Sequence, residues 1–215
     1  MTIGLALTAV VAWLVFQSGL YITLMPFWMI IAFSLMGVSL YMGRKINRLA
    51  TTPFTSLTTL FLIYSGLEGV FFGTVLPVYA ASFGGQVIWA AFGTAALVFG
   101  LAVAYGAMTK SDLTSLGRIL SRGVMGLVAA TILYVILSFF MPVTGLMLLI
   151  SYIGVVLFVG LSAYDAQKIK QMSQQVDGYS AQSCKLSLVM ALRMYMNVIL
   201  IFWYLLQIFS SSSKR

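Results

Sequence analysis

The chain contains no histidine, a single cysteine and only four acidic residues among 215. Without histidine there is no Ser-His or Cys-His nucleophilic pair and no histidine-ligated metal or haem. The lone cysteine, Cys184, leaves no internal disulfide. Charged residues make up 7% of the chain, too few to cover the surface of a soluble domain of this size. No polar stretch is long enough to fold alone, so no soluble catalytic domain is expected.

What is present is apolar: 61% of residues are hydrophobic, with a mean hydropathy of +1.05. This composition is that of an integral membrane protein. The net charge of +8 reads as a topology signal and not as a nucleic-acid footprint, because the basic residues cluster in short connecting segments.

Hydropathy predicts seven spans. Met1 to about Leu24 is apolar from its start and lacks a basic leader, so it reads as a first transmembrane helix and not as a cleaved signal. Pro26 to Gly43 is the second span. Thr51-Thr52-Pro53 supplies a polar cap and early proline for the third, which runs from Phe54 to Leu76 and is closed by Pro77. A short uncharged link, Tyr79 to Gln86, precedes the fourth, which reaches about Met108. The fifth, Gly123 to Met141, stops at Pro142, and after a turn that includes Gly145 the sixth runs to about Tyr164. The segment from Asp165 to Lys185 can prolong that helix before breaking at Asp177-Gly178. The seventh is Leu186 to Phe209; its 24 residues reach roughly 36 Å, against a hydrocarbon core about 30 Å thick.

Three loops hold Arg44, Lys45, Arg48, Lys110, Arg118, Arg122, Lys168, Lys170 and Lys185, while the alternate loops hold no basic residue. By the positive-inside rule the N-terminus is cytoplasmic and the C-terminus outside, with only Lys214 and Arg215 on the wrong side. Gly69 and Gly73 have the spacing that lets helices approach closely, and read as packing.

Intramembrane charges are costly and mark functional candidates. Arg193 and Asn197 stand four apart on the seventh span and so share one face, which suits a helix surrounded by others. Glu68 sits about 21 Å into the third span, near mid-membrane. It is either a functional carboxyl or a structural one bonded to Asn197 or a serine. Asp165 ends the sixth span, where a helix terminus would oppose its charge, so a cationic partner is expected. Lys168, at i+3, and Arg193 are the two candidates; alternatively Arg193 snorkels to the interface. Enzyme readings fail on single residues. An intramembrane aspartyl protease needs a second converging aspartate beside Tyr164-Asp165, and a retinal protein needs a mid-membrane lysine, whereas Lys185 stands at the entrance of its span.

The segments Tyr164-Asp165-Ala166-Gln167-Lys168-Ile169 and Ala191-Leu192-Arg193-Met194-Tyr195-Met196-Asn197, the second leading into an apolar aromatic helix, resemble the Bax inhibitor family. Thr2 to Trp13 is similar to that family's first span, without the polar leader that usually precedes it. The likeness in hydropathy covers the whole chain, and the specific likeness lies in the last two spans. It implies an all-α integral membrane fold with seven transmembrane helices, the C-terminal one central, in one domain spanning residues 1–215. It places the chain as a multi-pass protein of the bacterial inner (plasma) membrane.

The function the resemblance implies is a pH-modulated calcium or cation leak channel, gated by two aspartates on the sixth and seventh helices. Asp165 matches the first and is the candidate calcium contact. Asn197 occupies the place of the second, and an amide does not titrate. Arg193 stands where the family often has a small polar residue. Asp165, Asn197, Arg193 and Glu68 are thus the expected gating and ion-path residues. The expected partners are the lipid bilayer and calcium as permeant ion, with no cofactor and no nucleic acid. The alternative is a membrane interaction protein that transports nothing and modulates a membrane protease or a stress response.

Overall fold

A computed structural model describes residues 1–47, 53–138, 140, 144–175 and 181–213. Among them there is no strand. The helices are α1 (Thr2–Gln17), α2 (Leu20–Leu24), a 3-10 turn (Met25–Phe27), α3 (Trp28–Asn47), α4 (Phe54–Phe83), α5 (Gly85–Met108), α6 (Thr114–Ser138), α7 (Thr144–Gln175) and α8 (Ala181–Ser212). Among the described residues six helical stretches are long and apolar enough to cross a membrane, the first being the combined run Leu20–Ile46. The seventh apolar helix, α1, has 16 residues and reaches about 24 Å, short of a hydrocarbon core about 30 Å thick.

Several boundaries differ from those expected. The first apolar run breaks at Gly19, whose φ of 71° only glycine adopts readily, so α1 ends at Gln17 and the next span begins at Leu20. Pro77 does not close the third span, because α4 continues through it to Phe83. A proline inside a membrane helix gives up one backbone bond, which neighbouring groups can compensate. The expected link from Tyr79 to Gln86 shrinks to Gly84, at φ 85° and ψ 148°, between the last residue of α4 and the first of α5. The fifth span starts at Thr114 and not Gly123, taking in Arg118 and Arg122, whose long stems can lie along the helix with their charges at the interface. Asp112 accepts the Thr114 backbone N–H at 2.9 Å and so supports the first turn of α6, and this bonding holds its carboxyl below the usual carboxylate range. The expected cap at Thr51-Thr52, the turn at Pro142, the break at Asp177-Gly178, and the charges of Arg48, Lys214 and Arg215 lie outside the described residues.

The chain divides into two compact units, Met1–Gly84 with Val176–Tyr195, and Gly85–Gln175 with Met196–Arg215, so that each takes one half of α8. In the first unit α1 and α3 pack on α4. Gly69 and Gly73 account for the closeness of α1: a Cβ on Gly69 would lie 2.8 Å from the Thr8 carbonyl oxygen, and one on Gly73 would lie 2.8 Å from that of Ala12. Tyr195 closes this core edge-on against Phe61 and Tyr64, with centroids at 5.5 and 6.2 Å. In the second unit α5 and α6 pack on α7, again through small residues. Ala102, Leu113 and Ala163 form a buried cluster with Val159 and Tyr164 against it. Outward faces carry large apolar side chains such as Trp89, Phe92, Leu97 and Leu101, which suits contact with hydrocarbon. Hydroxyls within the spans, among them Thr58, Thr74, Thr131 and Ser162, donate to carbonyls four residues back on their own helix and so need no other partner.

Candidate functional site

Helix α7 runs eleven residues past Tyr164, to Gln175, so Asp165 lies inside the helix and not at its end. The dipole argument for a cationic partner therefore does not apply. Asp165 is buried, at 1% exposure, and its Oδ2 accepts a hydrogen bond from Asn197 Nδ2 of α8 at 3.0 Å. Asn197 is itself buried. The two residues that carry the resemblance are thus in direct contact. Lys168 turns to the ring of Tyr164, with Nζ 5.9 Å from its centroid.

The rest of this turn of α7 grips the preceding connection. Gln167 is buried; its Oε1 accepts the Leu113 N–H at 2.9 Å and its Nε2 donates to the Ser111 carbonyl at 2.6 Å. Lys170 Nζ donates to the carbonyl of Ala107 at 2.7 Å, in the last turn of α5, where a cation complements the helix dipole. Tyr164 lies flat on Gly117 of α6, where a Cβ would come within 2.6 Å of its ring. One turn of α7 therefore holds α8, α6 and the link before α6 together. Gln167→Ala is expected to cost about 1 to 3 kcal/mol in thermal unfolding in detergent, the penalty of an orphaned buried backbone N–H. Gln167→Glu should lie between, since a carboxylate still accepts from Leu113 but cannot donate to Ser111. Equal stability of wild type and Gln167→Ala would remove this grip.

Two expected site residues belong to the other unit. Glu68 is buried on α4, and its Oε2 makes no hydrogen bond among the described residues. Its polar neighbour on the helix is the Tyr64 hydroxyl, one turn earlier. Nearby, Tyr195 Oη and Thr8 Oγ1 are 2.6 Å apart, and Thr8 also reaches the carbonyl oxygens of Gly4 and Ser65 at 2.9 and 3.0 Å. Arg193 is half-buried, in the half of α8 that belongs to this unit. Among the described residues no three His, Cys, Asp or Glu side chains converge on one point.

The family model described as inhibitor of apoptosis-promoting Bax1 matches residues 1–214. The chain belongs to the Bax inhibitor family. This Bax inhibitor chain is 50% identical over 215 residues to an uncharacterized protein of Chlamydia muridarum, covering 100% of itself and 89% of that relative. It is 34% identical over 213 residues to the inner membrane protein YbhL of Escherichia coli K12, covering 98% of itself and 88% of YbhL. A Borreliella burgdorferi relative is 30% identical over 212 residues, with 96% and 86% covered. As a Bax inhibitor family member it is a multi-pass membrane protein.

Asp165 and Asn197 stand out in the sequence of this Bax inhibitor chain, whereas Gln167, Tyr195, Thr8, Ser151 and Gln207 take their places only through contacts in the folded structure. Gln167 stands within the quoted motif, two residues after Asp165, and a polar amide there was the available signal. Ser151 Oγ and Gln207 Oε1 are 3.1 Å apart, both side chains buried between α7 and α8. Ser151 lies two heptads before Asp165, so helical spacing alone puts both on one stripe.

Proposed function

We propose that this Bax inhibitor family member is a bacterial inner-membrane cation leak, with calcium as its permeant ion, whose path is controlled at the Asp165–Asn197 contact. The observation that carries this reading is the buried 3.0 Å bond between the two helices bearing the family resemblance. Hard cations exchange water for carboxylate and amide oxygens, and this pair supplies both within a membrane span. Because the amide does not titrate, the response to pH is shallower than that of two carboxyls. The path is a conduit, with no bond-making chemistry. The inner-membrane location rests on the relation to YbhL.

Calcium entry into liposomes containing the purified protein tests this reading. Wild type should admit calcium faster than protein-free liposomes, and Asp165→Asn should change the rate. Entry at the protein-free level for both would favour the interaction protein that modulates a protease or stress response.

The orientation is part of the proposal. Arg44 and Lys45, then Lys110, then Lys168, Lys170 and Lys185 fall at alternate ends of the six long spans found among the described residues, and by the positive-inside rule this supports cytoplasmic ends there and a C-terminus outside. That outcome does not depend on α1. An N-terminal reporter does: a cytoplasmic signal means that α1 crosses and seven spans exist. Reporters at Lys110 and Lys170 should read cytoplasm and one at Gly84 outside; the reverse would refute the assignment.

A further inference from the structure

Three layers of side chains are stacked along the seam between α7 and the second half of α8. The first is the Asp165–Asn197 hydrogen bond. Seven residues back along α7 and seven onward along α8, Phe158 and Tyr204 stack, with centroids 6.0 Å apart and planes at 19°. Seven residues further back on α7, Ser151 meets Gln207. Seven residues make about two turns, so the α7 members form one stripe with about 10 Å between successive members, while on α8 Gln207 follows Tyr204 by three residues, about 4.5 Å of rise. All six side chains are buried.

The middle layer is held in place. The Tyr204 ring lies against Gly154, where a Cβ would come within 2.6 Å of it, so no side chain at that position leaves the ring room. The Tyr204 hydroxyl reaches Thr131 on α6, which fixes the far end of the ring. The outer layers offer carboxylate, amide and hydroxyl oxygens. The layer between them presents stacked ring faces.

A cation leaving water needs oxygen ligands at each step, and a narrow apolar constriction stops it by excluding water. We propose that the Phe158–Tyr204 stack is the closed gate of a cation path along the α7–α8 seam, with Asp165–Asn197 and Ser151–Gln207 as oxygen-lined stations on its two sides. This rests on the cation-leak reading. It adds the place where conduction is blocked and the second station beyond the block. The opposing account is that the rings only fill space, in which case truncating them loosens the fold without opening a path.

The experiment uses the full chain in liposomes, with Phe158→Ala and, from the other helix, Tyr204→Val. Each variant is first checked for monodispersity in detergent. Calcium entry should rise at least about tenfold, the ratio that 1.4 kcal/mol off a barrier gives, and Phe158→Leu, which restores an apolar plug, should rise less. A second readout does not depend on flux. Cys184 is the chain's single cysteine, so Cys184→Ser gives a clean background for Ser162→Cys, a buried position between the first two layers. A cationic, membrane-impermeant methanethiosulfonate applied from the outside should leave Ser162→Cys unmodified, and should modify it once Phe158→Ala is added.

If Asp165→Asn alters calcium entry while the ring variants neither raise it nor expose Ser162→Cys, the gate is refuted and the leak reading stands. If wild type and Asp165→Asn both match protein-free liposomes, the leak reading fails and the gate with it.

Discussion

Gly106→Ala should destabilise the second unit by about 3 kcal/mol, the upper end of the usual cost of overpacking. A Cβ at Gly106 would overlap the carbonyl oxygen of Ala163 and lie 2.7 Å from its carbonyl carbon. Both atoms belong to the backbone of α7, so no rotamer change relieves the clash and the two helices must separate. Separation breaks the Ala102, Leu113 and Ala163 cluster and strains the grip of Gln167 on the link to α6. The control is on the same helix: Gly93 and Gly100 have nothing within 4 Å of an added Cβ. Alanine there removes glycine's poor helix propensity and should be neutral or stabilising by up to about 1 kcal/mol. Melting temperatures in one detergent decide the matter. Equal losses at Gly100 and Gly106 would contradict the packing described for α5 on α7.

The pattern of these glycines shows why the sequence is only partly legible. Gly69 and Gly73 stand out by their spacing and do pack α1 against α4. Gly106 and Gly117 carry no such spacing, and their importance lies in partners 57 and 47 residues away, Ala163 and Tyr164. The spans themselves were legible because membrane length and hydropathy leave few alternatives. Their ends were not: Pro77 and the basic residues Arg118 and Arg122 looked like breaks, yet in a membrane helix a proline gives up one bond and an arginine can snorkel. Asp165 and Asn197 could be named from their motifs, since few polar residues lie in the last spans. Their direct contact could not, because it depends on the register of two antiparallel helices. The same register brings Phe158 to Tyr204 and Ser151 to Gln207, and a heptad count from Asp165 and Asn197 would have suggested the first of these pairs.

The Asp165–Asn197 contact should be worth more than either side chain alone. Asp165→Leu removes the acceptor of a buried amide, and Asn197→Leu removes a donor from a buried carboxyl. Each should cost about 1 to 3 kcal/mol, the scale of a buried polar group that loses a hydrogen-bond partner. The double replacement leaves neither, so it should cost less than the two singles together by more than about 1 kcal/mol. Strict additivity would mean that the bond does not join α7 to α8 energetically.

The control that this contact exerts on conduction is tested most directly by the pH profile of calcium entry into liposomes for wild type and Asn197→Asp. In wild type a carboxyl faces an amide, and only one of the two partners can take up a proton. Asn197→Asp places two carboxyls at hydrogen-bonding distance, where they titrate as a coupled pair. The account predicts calcium entry in wild type with a shallow pH response, and a distinctly steeper response in Asn197→Asp over the same range. Superimposable profiles for the two proteins would contradict it.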